Sequence, residues 1–202
     1  QDARRLHDNG MQTVLIEYSH PQLNSIEIDD AIGGQLAARH IIGKGHRQVA
    51  FLGEIESPEK YAIHPVKSRL QGFKNTLDEA GISLLKKYIK SAPYMQENSQ
   101  RAALELLSMD QPPTAIFAAA DIQAISIMKV ARQLKLRIPD DLAVVGFDDI
   151  DIAEYMDLTT IRQYLDQSGR LAAEILLSHL ADSDRALQHI KIPLTLIERQ
   201  TA

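Results

Sequence analysis

Strands and helices alternate along this 202-residue chain, which predicts an α/β fold built on parallel sheets. Three observations carry that prediction. Short apolar runs, such as Leu142 to Val145 and Thr114 to Ala119, suit strands that are covered on both faces. Between them lie segments with apolar residues three and four apart, as in Leu70, Phe73 and Leu77, the spacing of one helix face. Stop signals then fall where helices should end: Gly43 and Gly45, Gly81, and Pro139.

Taken in order, Gln1 to Gly10 reads as the end of a helix stopped by Asn9-Gly10. Thr13 to Tyr18 (TVLIEY) follows as a strand with no partner before it in sequence. A lone parallel strand cannot bury both faces, so the natural protein is expected to be longer at its N-terminus. Helices are expected at Asp30 to Lys44, Lys67 to Ala80, Glu97 to Met109 and Ile122 to Leu136. Strands are expected at Gln48 to Gly53, Thr114 to Ala119 and Leu142 to Asp148, with Lys87 to Ala92 a weaker one. After a return crossing at Thr159 to Gln163, Gln167 to Leu180 forms an amphipathic helix that covers a sheet through Leu171, Ile175 and Leu176, or contributes to a dimer contact. Ile190 to Arg199 is extended, and Pro193 places it at an edge or crossover.

Composition narrows the function. Apolar residues make up 45% of the chain, enough for a core, and 22 Lys plus Arg against 27 Asp plus Glu give a net charge of −5. Such a balance lacks the cationic footprint needed to hold a phosphate backbone, so these residues are not a DNA-binding part. The absence of cysteine excludes thiolate metal sites and a cysteine nucleophile. His40 and His46 lie six apart, so a helix would point them to different faces; His46 in GKGHR reads as structural. G-x-x-x-x-G-K-[ST], G-x-S-x-G, H-E-x-x-H and G-x-G-x-x-G do not occur. The expectation is a protein without catalytic activity, resident metal or cofactor.

The strand at Leu142 to Asp148 is the most informative element. It runs into Gly146, which allows close approach, and then into Asp148 and Asp149. In open α/β sheets, ligands bind at that end of the strands. Successive strand residues face opposite ways, so one aspartate faces a ligand while the other caps the short helix near Ile152, unless both are caps.

Four blocks together resemble a known family: EIDDAIGGQLAARHIIGKGHRQVAFLG (27–53), SRLQGFKNTLDEAGI (68–82), PPTAIFAAAD (112–121) and RIPDDLAVVGFDDIDIAEYMDLTTIRQ (137–163). They are similar, in order and spacing, to the effector-binding core of LacI/GalR transcriptional regulators, and the ending IPLTLIERQTA resembles the terminal strand of that core. The resemblance implies a two-lobed, periplasmic-binding-protein-like fold with a small molecule in the cleft and hinge crossings near residues 25–29, 158–163 and 185–192. It places residues 1–27 and 160–187 in an N-terminal lobe that is incomplete, and 28–159 and 188–202 in the C-terminal lobe. It further implies a cytoplasmic homodimer that meets operator DNA through a helix-turn-helix headpiece absent from this chain. No membrane partner is expected.

The same resemblance names five ligand-binding candidates. Asp148 is the ligand-facing member of its pair, and Arg69 matches an arginine whose fork of donors suits vicinal hydroxyls, a carboxylate or a purine edge. Tyr18 and Tyr94 match positions where an aromatic stacks on the ligand, and each reads equally well as core or rim. Asp29 matches an aspartate near the hinge and could equally cap the following helix. Two positions depart from the family pattern: Ala120 and Asp30 each stand where asparagine is usual. The function implied is an effector-sensing core, for a sugar or nucleoside type of ligand, that controls operator binding. A solute receptor for sugar uptake is the alternative.

Overall fold

The computed structural model describes residues 5–6, 8–55 and 65–202. Residues 1–4 and 7, part of the expected N-terminal helix end, lie outside that set. Within it, Asn9 N–H bonds Arg5 O and Met11 N–H bonds Leu6 O, which close a helical turn before Gly10.

The chain divides into two compact units, Gln1–Asp29 with Gln163–Leu194, and Asp30–Arg162 with Thr195–Ala202. Strand pairing explains where the divisions fall. Thr160 to Arg162 were expected in the first lobe and residues 188–194 in the second. Thr159–Arg162 (β7) instead pairs within the larger unit and His189–Lys191 (β8) within the smaller.

The smaller unit holds β1 (Val14–Ile16), β2 (Asn24–Glu27) and β8 in one parallel sheet, ordered β1-β2-β8. Thr13 to Tyr18 therefore does find a partner, and it comes later in sequence. That partner, Asn24–Glu27, reads as a bare crossing in the sequence because its polar residues are buried by pairing: Asn24 Oδ1 accepts from Gln188 N–H at 2.8 Å. Helix α6 (Leu165–Ala181) covers this sheet, with Ile175 packed on Ile26 and Ile192 and flanked by Leu171, Ala172 and Val14. Burying these aliphatic side chains contributes about 1.5–3 kcal/mol each.

The larger unit holds α1 (Asp30–Gly43), β3 (Val49–Gly53), α2 (Pro65–Glu79), β4 (Ile89–Ser91), α3 (Gln96–Leu107), β5 (Ala115–Ala118), α4 (Asp121–Gln133), β6 (Ala143–Asp148), α5 (Asp151–Tyr155), β7 and β9 (Thr195–Ile197). Its strands form one sheet in the order β4-β3-β5-β6-β7-β9. All pairs are parallel except β7 with β9. That reversal puts the Pro193 segment at a sheet edge, where a missing N–H breaks no ladder. β3, β5 and the body of β6 are buried throughout, as their apolar runs require. Phe51, Phe73 and Phe117 meet over the sheet with ring centroids 5.2–6.2 Å apart. Among the described residues, no helix is long and apolar enough to cross a membrane.

Helices α1 and α2 cross closely because glycine stands on both sides. A Cβ on Gly34 would lie 2.0 Å from Arg69 O, and one on Gly72 would lie 2.0 Å from Ala31 O. The crossing brings the start of α1 against the first turns of α2. Gly72→Ala is accordingly expected to cost about 1–3 kcal/mol in urea denaturation, the scale of an overpacked core. Gly43→Ala, whose Cβ would meet open space, should stay within about 1 kcal/mol of the parent.

Candidate functional site

The sheet order of the larger unit dictates where a ligand would sit. From β3 the chain winds one way to β4 and the other way to β5, β6 and β7, so the order switches between β3 and β5. Loops diverge from that point at the C-terminal edge and leave a crevice, the usual ligand position in doubly wound sheets. The strand ends gathered there are Gly53, Ala118 and Asp148.

Arg69 projects to this edge from α2 and is 5% exposed. Its Nε–H donates to Asp30 Oδ1 at 2.7 Å and its Nη1 to Ala119 O at 2.7 Å. The guanidinium lies over the Phe147 ring, with Cζ 3.5 Å from the centroid. A cation so desolvated is stabilised by charge-assisted bonds and by the ring face together. Asp148 Oδ1 stands 4.0 Å from Nη1. The structure thus brings two of the sequence candidates, Arg69 and Asp148, to one edge, together with Asp30 and Phe147. Asp30 was noticed in the sequence only as a departure, and Phe147 carries no local signal, because stacking on Arg69 depends on a helix far away in sequence.

Asp148 and Asp149 both adopt positive φ, 113° and 57°. For non-glycine residues this conformation costs on the order of 1–3 kcal/mol and persists only when the surroundings fix it. Asp149 supplies the fixing. Its carboxylate, 3% exposed, pairs with Arg162 Nε on β7 and lies 2.8 Å from Arg199 Nη2 beyond β9. The expectation that Asp149 caps the short helix is therefore corrected. Ile150 is the N-cap of α5 and no side chain bonds there as a cap. Ile150 N–H is instead held by Asp121 Oδ2 at 3.0 Å.

Asp121, at the start of α4, is fully buried and joins three elements. Besides Ile150, it accepts from Thr160 Oγ1 on β7 at 2.6 Å. Gly146 makes room for it, since a Cβ there would fall 2.2 Å from Asp121 Oδ1. The close approach read from Gly146 is thus an approach by this carboxylate.

Tyr94 follows β4 at the same edge of the larger unit and is 43% exposed. Tyr18 and Asp29 belong to the smaller unit, beyond the ends of β1 and β2, and both are exposed. His46 Nδ1 bonds Thr114 Oγ1 at 3.0 Å, a structural role. Ser25, Glu27 and His189 also meet, but Ser25 Oγ donates to Glu27 at 2.8 Å and His189 Nδ1 touches the same oxygen at 2.9 Å. With its proton on the carboxylate, that serine is not aligned as a nucleophile. Two other concavities hold none of the five candidates. One of about 420 Å³ is lined by Met11, Thr13, Asn24, His179 and Arg185. The other, about 580 Å³, lies against Ile125, Met128, Arg132 and Met156. Among the described residues no group of three His, Asp or Glu is placed to hold a metal ion.

Comparison with known proteins agrees with this architecture. Residues 38–202 match the model of the periplasmic binding protein-like domain family. The chain belongs to that family. Within it, the chain is 35% identical over 172 residues to the HTH-type transcriptional repressor PurR of Vibrio vulnificus, covering 84% of this chain and 50% of the relative. It is 32% identical over 192 residues to the ribose operon repressor of Haemophilus influenzae, covering 93% of this chain and 56% of the relative. A LacI family transcriptional regulator from Enterococcus faecium, solved with bound ribose, superposes with a TM-score of 0.86 at 26% identity over 98% of this chain and 73% of that one. The chain therefore has the effector-binding core of the LacI/GalR regulators. It spans about half the length of the curated relatives it matches.

Burial raises the pKa of Asp121 from 3.8 to about 6, with the nearby Asp149 charge adding to it, although the bonds from Thr160 and Ile150 pull the other way. A carboxyl whose folded pKa lies above its unfolded value favours the native state fully below the unfolded pKa and loses that advantage as pH rises through the folded one. The native state should thus lose on the order of 2–3 kcal/mol from this group between about pH 4 and pH 6. Urea unfolding across that range should show this slope in the parent and its loss in Asp121→Asn.

Proposed function

We propose that this chain is the effector-sensing core of a transcriptional regulator, binding a sugar or nucleoside and passing the binding energy to an operator-binding part outside the chain. The observation that carries the reading is the Arg69–Asp148 pair at the switch point of the larger sheet, in a chain whose relatives are repressors of PurR and ribose-operon type. Those relatives also favour a regulator over a solute receptor. A carboxylate acceptor beside a fixed guanidinium suits vicinal hydroxyls, as on a ribose ring. Tyr94 supplies a flat face from the loop after β4. Tyr18 and Asp29 stand beyond the strand ends of the smaller sheet, the corresponding position for contact with a ligand. The protein acts as a cytoplasmic homodimer without catalytic chemistry.

Regulation then follows from differential affinity. A ligand shifts an equilibrium between two forms only by as much as it prefers one of them. A hundredfold effect needs about 2.7 kcal/mol, which one or two charge-assisted bonds made in one form provide.

The test is a thermal-shift screen of free pentoses and hexoses, purine bases and nucleosides, followed by calorimetry, since a ligand that prefers the folded state raises the midpoint. At least one such compound should bind. Asp148→Asn and Arg69→Lys should each weaken it tenfold or more, about 1.4 kcal/mol. Affinity unchanged in both variants would place the ligand elsewhere.

A further inference from the structure

We propose that this edge selects uncharged, hydroxyl-bearing ligands, and that Asp30 is the specificity-determining residue that turns away phosphorylated and carboxylated ones. The proposal deepens the effector reading above and rests on it for the site's biological role.

A buried guanidinium at a sheet edge would ordinarily be an anion receptor, because its planar fork matches phosphate and carboxylate with two parallel bonds. Here the fork is already engaged. Asp30 Oδ1 takes the Nε–H, which closes the side-on fork of Nε and Nη2. Ala119 O takes a proton of Nη1, with Asp148 Oδ1 4.0 Å from the same nitrogen, so the end-on side is partly taken as well. Phe147 covers one face of the group. Of the five N–H groups these bonds take two, and the donors that remain, the pair on Nη2 and the second on Nη1, lie beside two carboxylates.

The charge balance points the same way. Around Arg69 two carboxylates face one cation, which leaves the cluster one negative charge in excess. Both acids are largely buried, with side chains 11% and 22% exposed, so solvent screens them weakly. Among the described residues, the surrounding groups do not restore a positive field. Arg162 and Arg199 are both drawn to Asp149, and Asp121 adds a further acid held by Thr160 and Ile150. An incoming anion would meet a net negative cluster, whereas a sugar hydroxyl could donate to Asp148 and accept from Arg69. Asparagine at position 30 could keep a bond to Nε through its carbonyl oxygen while removing the charge. The carboxylate of Asp30 therefore neutralises the arginine without releasing it.

Inorganic phosphate tests this without knowledge of the effector. The unfolding midpoint is followed against phosphate at fixed pH, with chloride at matched ionic strength as the blank. The parent chain should respond to phosphate no more than the blank predicts. Asp30→Asn should acquire a saturable rise, with an apparent Kd at least tenfold below any response of the parent, and adding Arg69→Lys should weaken it. Asp148→Asn removes the same charge while leaving the Asp30–Arg69 bond intact, and should also gain the response should Asp30→Asn fold poorly. A saturable phosphate response in the parent that Arg69→Lys removes, or variants that respond no more than the parent, overturns the proposal. Failure of every neutral sugar and nucleoside to bind would instead overturn the effector reading, which leaves the two separable.

Discussion

The clamp on Arg69 is the interaction around which the larger unit's sheet edge is organised. It ties the start of α1 through Asp30, the first turns of α2 through its own backbone, the end of β5 through Ala119 O, and the end of β6 through Phe147. Removing one partner from such a buried ion pair typically costs about 3–5 kcal/mol, because a charge is left without compensation. The close crossing at Gly34 and Gly72 exists in the same place for a mechanical reason: without it, Asp30 could not come within 2.7 Å of Nε. Packing and electrostatics therefore share one locus.

A second constraint lies one peptide bond away. Asp148 offers its carboxylate toward Arg69, while Asp149 grips Arg162 at the end of β7 and Arg199 after β9. Asp121 braces the same turn from α4. Both aspartates of the turn sit at positive φ, a conformation that relaxes unless neighbours hold it. Under the proposed reading, ligand contact at Asp148 would bear on a turn already under load and connected to two strands at the boundary of the unit. That is a physical route for small local changes to reach the chain segments leading out of it.

Much of the fold was legible because it rests on periodicity. Fully apolar runs gave β3, β5 and β6, and helix spacing gave α1 to α4 within a few residues at each end. The strand Asn24–Glu27 escaped because its buried residues include the polar Asn24 and Ser25, which bond Gln188 and His189 far along the chain. Asp149 read as a cap for a similar reason, since its arginines come from positions 162 and 199 and only the antiparallel pairing of β7 with β9 brings them together. Of the candidate site, the Asp148–Asp149 pair was visible from the strand-end rule, while the choice of Asp148 within it, like that of Arg69, came from family resemblance. The link of Arg69 to Asp30 was not visible, because a helix crossing set by two glycines leaves no periodic mark.

The most direct check of the account is the side-chain 1H–15N signal of Arg69 Nε–H, which its bond to Asp30 shelters from exchange with water. It would be followed while the chain is titrated with a neutral sugar or nucleoside that raises the unfolding midpoint. A saturable shift of that signal is expected, with the same Kd as the calorimetric titration and accompanied by shifts of the Asp148 and Phe147 amides. An Arg69 signal that stays still while the amides around His179 or Met128 move would contradict it, since the ligand would then occupy one of the two other concavities.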